Sequence, residues 1–526
     1  MPGGQVIRAG SHALVWTLIL VPTIMELARG WRPVRDDAMV SIGAYRVFSS
    51  HSPTLGVWSQ GSQGLRHAFF DLGPLMFWLL AVPVRIDPNQ GAKWGAAIVC
   101  GAALSLAVEA LWATKGWPAS LVFALVVADV GWQTQLFTDL VWNPHFGLVF
   151  MMAAVALGWA VAAGRFGWWP VLVFVASVSA QCHLLYVIPS VSIAVLAPFI
   201  AWVCGHRPTR WRWLTVGLLV IAVSWITPVA QQLFGHPGNV TLILDSGAGH
   251  TRAGVGFGLH ALATAGWPRP IWITQYPYLA AFASMPHYLE GHGVAWAFVA
   301  LALLVAVAVI AWMTHRRQLA ALSVIGVVTA LGTVVGFATF PTDDLGVTGY
   351  LGNVLWVVGP LIWIVAFWAL GEVVVANAPS DTRSASLLPG ATALLVAQAL
   401  GVCLLVVVGF EALRIQVPAA RSLSANVQAD RSVNDAISRA VKDHVARGPV
   451  IVEVTPSNFG PAHGYYAIDE WGVAFNLLSS GWQPFLNTSF FGPATHLTVP
   501  PGSHFPTVVV KMDPATRTVI SVRRRR

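Results

Sequence analysis

The chain has 526 residues, 56% of them hydrophobic and 10% charged, with a formal net charge of +8 and a mean hydropathy of +0.66. Soluble globular domains carry about 25% charged residues, so this composition excludes a water-soluble fold and specifies an integral membrane protein with many spans. The positive charge sits in short loops and in the Arg523-Arg524-Arg525-Arg526 terminus, which speaks of membrane topology and anionic lipid. No basic stripe interleaved with stacking aromatics points to nucleic acid.

Cys100, Cys182, Cys204 and Cys403 lie in or beside apolar stretches, so no disulfide framework is implied. Basic residues are mostly Arg, with Lys at 93, 115, 442 and 511, and Ala, Val, Gly and Trp are abundant. That bias suggests a GC-rich bacterial genome, and hence the bacterial plasma membrane. The first apolar run, Ala13 to Ala28, lacks a small-residue cleavage site before Trp31 and is expected to be a retained helix.

A span needs roughly 20 apolar residues. In chain order the candidates are 11–28, 69–85, 94–113, 118–137, 146–163, 168–185, 187–204, 213–233, 293–313, 318–340, 351–371 and 388–410. Arg8, Arg85 with Lys93, Arg165, the Arg207/Arg210/Arg212 cluster and His315-Arg316-Arg317 are assigned to the cytoplasm by the positive-inside rule. This puts the N-terminus inside and Asp36-Asp37, 139–145, Asp343-Asp344 and the tail outside. Basic residues at both ends of 94–113 break the parity, so about eleven complete crossings and one shallow or re-entrant segment are expected, or else one further crossing.

The expected fold is thus a polytopic α-helical membrane protein of about 11–13 transmembrane helices, residues 1–410, with a small C-terminal extracytoplasmic α/β domain, residues 411–526. A first outer loop covers 29–67 and includes an amphipathic stretch, Ala38 to Phe48, placed along the membrane surface. A long outer loop, 234–292, is rich in Gly, His and Pro, and loops of that length are usually functional or disordered. In the tail, 432–447 and 467–480 read as helices, and 449–454, 507–510 and 518–522 as β-branched strands.

Four outward motifs carry candidate chemistry. Asp36 and Asp37, just past the first span, are adjacent anions whose mutual repulsion raises proton affinity or attracts a cation; the alternative is a helix N-cap. Asp71 opens the second span in Asp71-Leu72-Gly73-Pro74, a turn from His67, and is equally suited to capping that helix. Asp139, Asn143 and His145 place a charge, an amide and an imidazole at another helix entrance, where Pro144 fits the first turn. Gln181 and His183 stand at a break between two apolar runs. Glu109 and Asp129 fall within spans, where a carboxylate must be paired, neutral or facing a polar cavity. The Asn239 and Asn487 sequons are taken as chance matches.

The acidic pair in the first outer loop, the Gly-Pro start of the second span and the long polar loop together resemble the C-superfamily (GT-C) of integral-membrane glycosyltransferases. That group includes protein O-mannosyltransferases, lipid A aminoarabinose transferases, oligosaccharyltransferases and mycobacterial arabinofuranosyltransferases. More narrowly, the chain resembles actinobacterial, mycobacterial-type members. These carry a His-Pro-Gly-Pro-type start to the second span, an Asn-Pro element and a Gln-Thr-His-like element. The matching residues here are Asp71-Leu72-Gly73-Pro74, Asn143-Pro144-His145 and Gln181-Cys182-His183. Asp71 replaces the usual His, which weakens any role carried over to it. The resemblance covers about residues 11–410, and its specificity lies in the order and shared outward placement of the motifs.

The resemblance implies a polyprenyl-phosphate sugar donor, of the arabinofuranose or mannose class. It implies a hydroxyl acceptor on a cell-envelope glycan, lipid or protein, met on the extracytoplasmic side. Asp36 would deprotonate the acceptor with inversion at the sugar, and Asp37 would tune it or take its place. Asp139, Asn143, His145, Gln181 and His183 would orient the substrates, together with His67 and Asp71. Arg35, Arg46 or Arg66 would neutralise the leaving phosphate. Some relatives use a divalent cation, but the carboxylates here are not spaced as a cage. The competing function classes are a transporter or lipid-linked-sugar flippase resting on Glu109 and Asp129, a polysaccharide polymerase or ligase, and a non-catalytic envelope-assembly protein.

Overall fold

An apolar run in hydrocarbon must satisfy its backbone hydrogen bonds internally, which makes each such segment a helix. The computed structural model describes residues 2–525 except 60–61, 63–66, 208–209, 247–250, 269–290, 292, 343–348, 378–389, 456–468, 487–496, 498, 500–501 and 514–517. Arg66, Asp343, Asp344 and Asn487 therefore lie outside the described residues. Among the described residues, each of the twelve apolar segments overlaps a helix. Among the described residues, nine helices are long and apolar enough to cross a membrane, and three shorter apolar ones accompany them.

The helices are α1 (Pro2–Ala28), α2 (Arg35–Arg46), α3 (Leu75–Ile86), α4 (Gly91–Lys115), α5 (Trp117–Thr134), α6 (Asn143–Ala162), α7 (Trp169–Cys182), α8 (Val187–Val203) and α9 (Arg212–Phe234). Then follow α10 (Asn239–Ser246), α11 (Gly254–Gly266), α12 (Ala295–Met313), α13 (Arg317–Ala338), α14 (Leu355–Asn377) and α15 (Gly390–His444). Every residue of α6 is buried, so α6 is the central post of the bundle. On α9, by contrast, Leu218, Leu219, Val223 and Ile226 are exposed, as expected of a face turned to lipid rather than water.

The bundle has two chemically different ends. At the near end, where the chain starts, Arg8 pairs with Glu109, His12 Nε2 lies 2.6 Å from Glu109 Oε1, and Arg316 Nη1 lies 3.2 Å from Glu372 Oε2. Glu109 is thus an ion-pair partner at the bundle's rim. At the far end, Gln90 Nε2 donates to Leu27 O at 3.1 Å and Asn239 is hydrogen-bonded to the Phe70 backbone.

One expected span is not one. The N–H of Leu75, at the start of α3, donates to Gln181 Oε1 at 3.3 Å, while Arg85, at its end, lies over the Tyr45 ring at 4.0 Å. Both termini of α3 therefore sit at the far end. Twelve residues rise about 18 Å, short of the ~30 Å hydrocarbon core. The return is tight: a Cβ on Gly91 would stand 2.1 Å from Pro83 O, and one on Gly95 2.7 Å from Pro83 Cβ. The segment 69–85 lies across the far end, the first far-end loop runs to residue 90 rather than 67, and α4 crosses completely. Arg85 and Lys93 accordingly belong to the far end and are not near-end anchors. This removes the parity conflict and leaves, among the described residues, eleven helices joining the two ends: α1, α4 to α9 and α12 to α15.

Three other features depart from the expectations. Helix α2 does not lie open on a membrane surface; Asp37 through Ile42 and Ala44 are all buried, between α3 and the tail helix α16 (Glu470–Ser479). The last span and the first tail helix are one continuous α15 of 55 residues. An apolar α11 within the long loop packs against α12, α13 and α14. The tail also carries β1 (Pro449–Thr455), β2 (Gln483–Leu486), β3 (Thr507–Asp513) and β4 (Thr518–Arg525), ordered β2-β1-β3-β4. β1 runs parallel to β2 and β3, and β4 closes the edge antiparallel to β3. Val450, Val452, Val508 and Val510 are buried, the period-two face of a sheet covered by helices.

Candidate active site

The far end gathers residues from almost every motif around the turn 138–145. Asp37 is on the first turn of α2, 9% exposed. Burial holds its carboxyl well above the ordinary carboxylate range; the charges of Asp139, Asp36 and Glu26 push the same way, and Lys93 opposes them. Asp139 is raised for the same leading reason, against Lys93 and Arg35. Asp36 is less buried than its neighbour.

Lys93 was not expected here. Its Nζ lies 2.5 Å from Glu26 Oε2, with side chains 1% and 0% exposed, and donates to Thr138 O at 2.6 Å. The Trp31 ring lies 5.7 Å away. One buried ammonium thus serves Glu26, Asp37 and Asp139, which makes an otherwise prohibitive acidic cluster tolerable. The signal was present in the sequence as the basic residue on the wrong side of the parity count.

From Asp139 the turn leads into α6. Asn143 Nδ2 donates to Asp71 Oδ2 at 3.0 Å and to Cys182 O at 2.9 Å, tying three motifs together. Asp71 is 3% exposed; burial raises its proton affinity, against the hydrogen bonds from Asn143 and the Leu184 N–H. Asp71 does not cap α3, whose N-cap residue is Pro74 without a side-chain cap. Gln181 Nε2 donates to Ser224 O at 2.7 Å. A Cβ on Gly73 would stand 2.2 Å from Gln181 Oε1, so glycine at 73 is what lets the start of α3 approach Gln181.

The imidazoles form the adjoining wall. His145 lies 3.3 Å through Nε2 from Asn353 Nδ2 and 4.8 Å from the Trp142 ring. His183 Nδ1 accepts from the Leu185 N–H at 3.2 Å, which leaves Nε2 to face the Tyr350 hydroxyl at 3.4 Å. Tyr350 in turn stacks edge-on with Trp142, centroids 4.6 Å apart. Tyr350 and Asn353 were not singled out in the sequence; their cue is a polar Tyr-Leu-Gly-Asn run at the start of an apolar span.

Two expected site residues stand apart. Arg46 is at the last turn of α2, about 14 Å along the helix from Asp37, and burial lowers the proton affinity of its guanidinium. His67 is exposed, ahead of the short ladder in which Trp58 bridges Phe70. Arg35 belongs to the site through its backbone: its φ is +52°, a left-handed conformation costing about 1–2 kcal/mol for a residue with a Cβ. Its Nε lies 2.9 Å from Asp430 Oδ2 on α15, and its N–H donates to the carboxylate of Asp469 in the tail. The tail thereby holds the residue that immediately precedes the acid pair. Among the described residues, no three His, Cys, Asp or Glu are grouped to hold a metal ion.

No family model matches the chain, and no curated protein matches it in sequence. Solved structures do match in fold. ArnT from Cupriavidus metallidurans bound to undecaprenyl phosphate aligns over 96% of this chain and 93% of its own, with a TM-score of 0.51 at 12% identity. The same protein in the apo state gives 0.51 at 14% identity over the same shares. The archaeal oligosaccharyltransferase AglB from Archaeoglobus fulgidus, in complex with an inhibitory peptide and a dolichol-phosphate, covers 96% of this chain and 69% of its own, with a TM-score of 0.35 at 11% identity. The chain therefore has an ArnT-like fold, polytopic and helical with a small C-terminal sheet.

Proposed function

We propose that the protein is a membrane glycosyltransferase that takes a sugar from a polyprenyl-phosphate donor and passes it to a hydroxyl of a cell-envelope glycan, lipid or protein. The near end carries Arg8, Lys115, Arg165, Arg316 and Arg317, so the positive-inside rule assigns it to the cytoplasm and the far end, with the tail domain, to the outside of a bacterial plasma membrane. The observation that carries the proposal is the convergence of the Asp37–Lys93–Asp139 cluster with Asn143, His145 and His183 about one turn. It rests on a bundle whose fold neighbour ArnT was crystallised with undecaprenyl phosphate.

In this mechanism Asp37 removes the proton of the acceptor hydroxyl. The oxygen attacks the anomeric carbon, the bond from that carbon to the phosphate oxygen breaks, and the electron pair leaves on polyprenyl phosphate. Attack from the opposite face inverts the sugar. Asp37 is preferred to Asp36 because burial and Asp139 raise its basicity, and a base works best with a pKa near the working pH. Asp36 supplies a neighbouring charge. Asp139, Asn143, His145, Gln181 and His183 orient the substrates, while Asp71 fixes Asn143. Arg35 is engaged by Asp430, so of the three expected arginines Arg46 or Arg66 is proposed to meet the leaving phosphate, and His67 is proposed as a further substrate contact. The donor sugar is placed in the arabinofuranose or mannose class.

Comparing envelope glycans and lipoglycans before and after deletion of the chain tests the proposal. One residue type or linkage is expected to disappear and to return on complementation. Unchanged glycans in the deletion strain, under conditions where the protein is expressed, would contradict it.

A further inference from the structure

A cavity of about 470 Å³ opens where α15, beyond its apolar part, meets α16 and the segment leading into α2. Among the described residues its charged lining is Arg32, Arg431, Arg439, Lys442 and Asp435, four cations to one anion. Asp435 is already shared: its Oδ1 lies 3.3 Å from Arg32 Nη1 and accepts from Asn476 Nδ2 at 2.9 Å, while its Oδ2 lies 3.6 Å from Arg431 Nε. The other cations lean on neutral groups. Arg439 Nε donates to the Asp435 carbonyl at 3.3 Å, and Lys442 Nζ donates to Asn476 Oδ1 and Ser480 Oγ, both at 3.0 Å. Burial lowers the proton affinity of Lys442, and the charges of Arg32 and Arg447 add to that while Asp435 opposes it.

Positive charge exceeding its local counterions, in a half-enclosed space, draws oxyanions, because guanidinium and ammonium donors gain most from a charged acceptor. The volume falls in the range of small-molecule sites, roughly 300–1,000 Å³, so the site has room for more than the bare ion. We infer that this cavity is a binding site for a phosphate group, with Arg439 and Lys442 as its principal donors. The phosphate is carried either by a water-borne saccharide phosphate or by an anionic lipid headgroup. Asp36 and Asp37 do not line the cavity, and the inference does not depend on the transferase proposal.

The test is a binding titration of the full chain in nanodiscs of phosphatidylcholine, with inorganic phosphate and with glucose 1-phosphate as probes. Both probes are expected to bind, more weakly as salt rises. Arg439→Gln and Lys442→Gln are each expected to weaken binding about tenfold, the size of one charge-assisted hydrogen bond. Arg439 is exposed and bonds within its own helix, so its variant keeps the test valid if Lys442→Gln disturbs the contact with α16. Repeating the titration in nanodiscs containing phosphatidylglycerol separates the sources: competition assigns the site to a lipid headgroup, and undiminished binding to a soluble phosphate. Failure of both probes to bind, or equal binding by wild type and both variants, would overturn the inference.

Discussion

Arg35 Nε lies 2.9 Å from Oδ2 of Asp430, so the residue just before the acid pair is held by the helix that ends the bundle. Arg35 is in left-handed backbone, and the Asp430 side chain is 2% exposed. A strained residue persists where its surroundings over-determine it, and here those surroundings come from the tail. Asp430→Asn is expected to lower kcat for sugar transfer about 10- to 100-fold with KM little changed, because small misplacements of a catalytic group cost that much. Glu411→Gln, which breaks the exposed pair with Arg414, should alter either constant less than about twofold. Equal kcat in wild type and Asp430→Asn would remove the tail from the account of the site.

The acidic cluster sets a pH dependence. Burial and Asp139 raise the proton affinity of Asp37 while Lys93 lowers it. As the base, Asp37 must be ionised, so kcat/KM should rise with pH through a value above the normal carboxylate range. Asp139→Asn removes a charge that disfavours ionisation and should move this limb to lower pH. A profile in which the limb stays put, or moves upward, argues against Asp37 as the titrating group.

Lys93 and Glu26 form a fully buried pair. Removing one partner leaves an uncompensated charge, at a cost of about 3–5 kcal/mol. Lys93→Met should therefore sharply reduce thermal stability in detergent, and adding Glu26→Gln should restore part of it. Lack of any recovery in the double variant would mean that Glu26 is not the partner through which Lys93 stabilises the fold.

Gly73 is required by space. In Gly73→Ala the new Cβ would meet Gln181 Oε1 at 2.2 Å and Pro228 Cγ at 2.7 Å, an overpacking expected to cost about 1–3 kcal/mol. Because the closer clash is with a side chain, Gln181→Ala should relieve part of the loss in the double variant, as read by thermal unfolding.

Much of this architecture was legible in residue order, because apolar runs specify helices whatever their partners. Apolarity does not say whether a helix crosses or lies across an end, and that is why 69–85 was misjudged. The distinction depends on Gln181, Tyr45 and Pro83 meeting residues that are distant in sequence or in the next helix. Asp71, Asn143, His145, Gln181 and His183 were singled out because polar groups at span ends are costly enough to need a reason, and the fold gathers them at one end. Lys93 and Asp430 were not, since each acts through a counterion brought in by the fold. Strand β2 escaped because four residues, including Pro484, carry too short a pattern, and α15 because Pro418 and a polar stretch hide its continuity.

The central claim, that Asp37 activates an acceptor toward a polyprenyl-linked sugar, is tested most directly by turnover in proteoliposomes. The assay follows release of polyprenyl phosphate and labelled product from a radiolabelled polyprenyl-phosphate sugar supplied with envelope acceptor. Wild type should turn over, and Asp37→Asn should lose activity by at least about a hundredfold while keeping its thermal midpoint. Wild-type-like turnover by Asp37→Asn, or by Asp36→Asn and Asp37→Asn combined, would contradict the account.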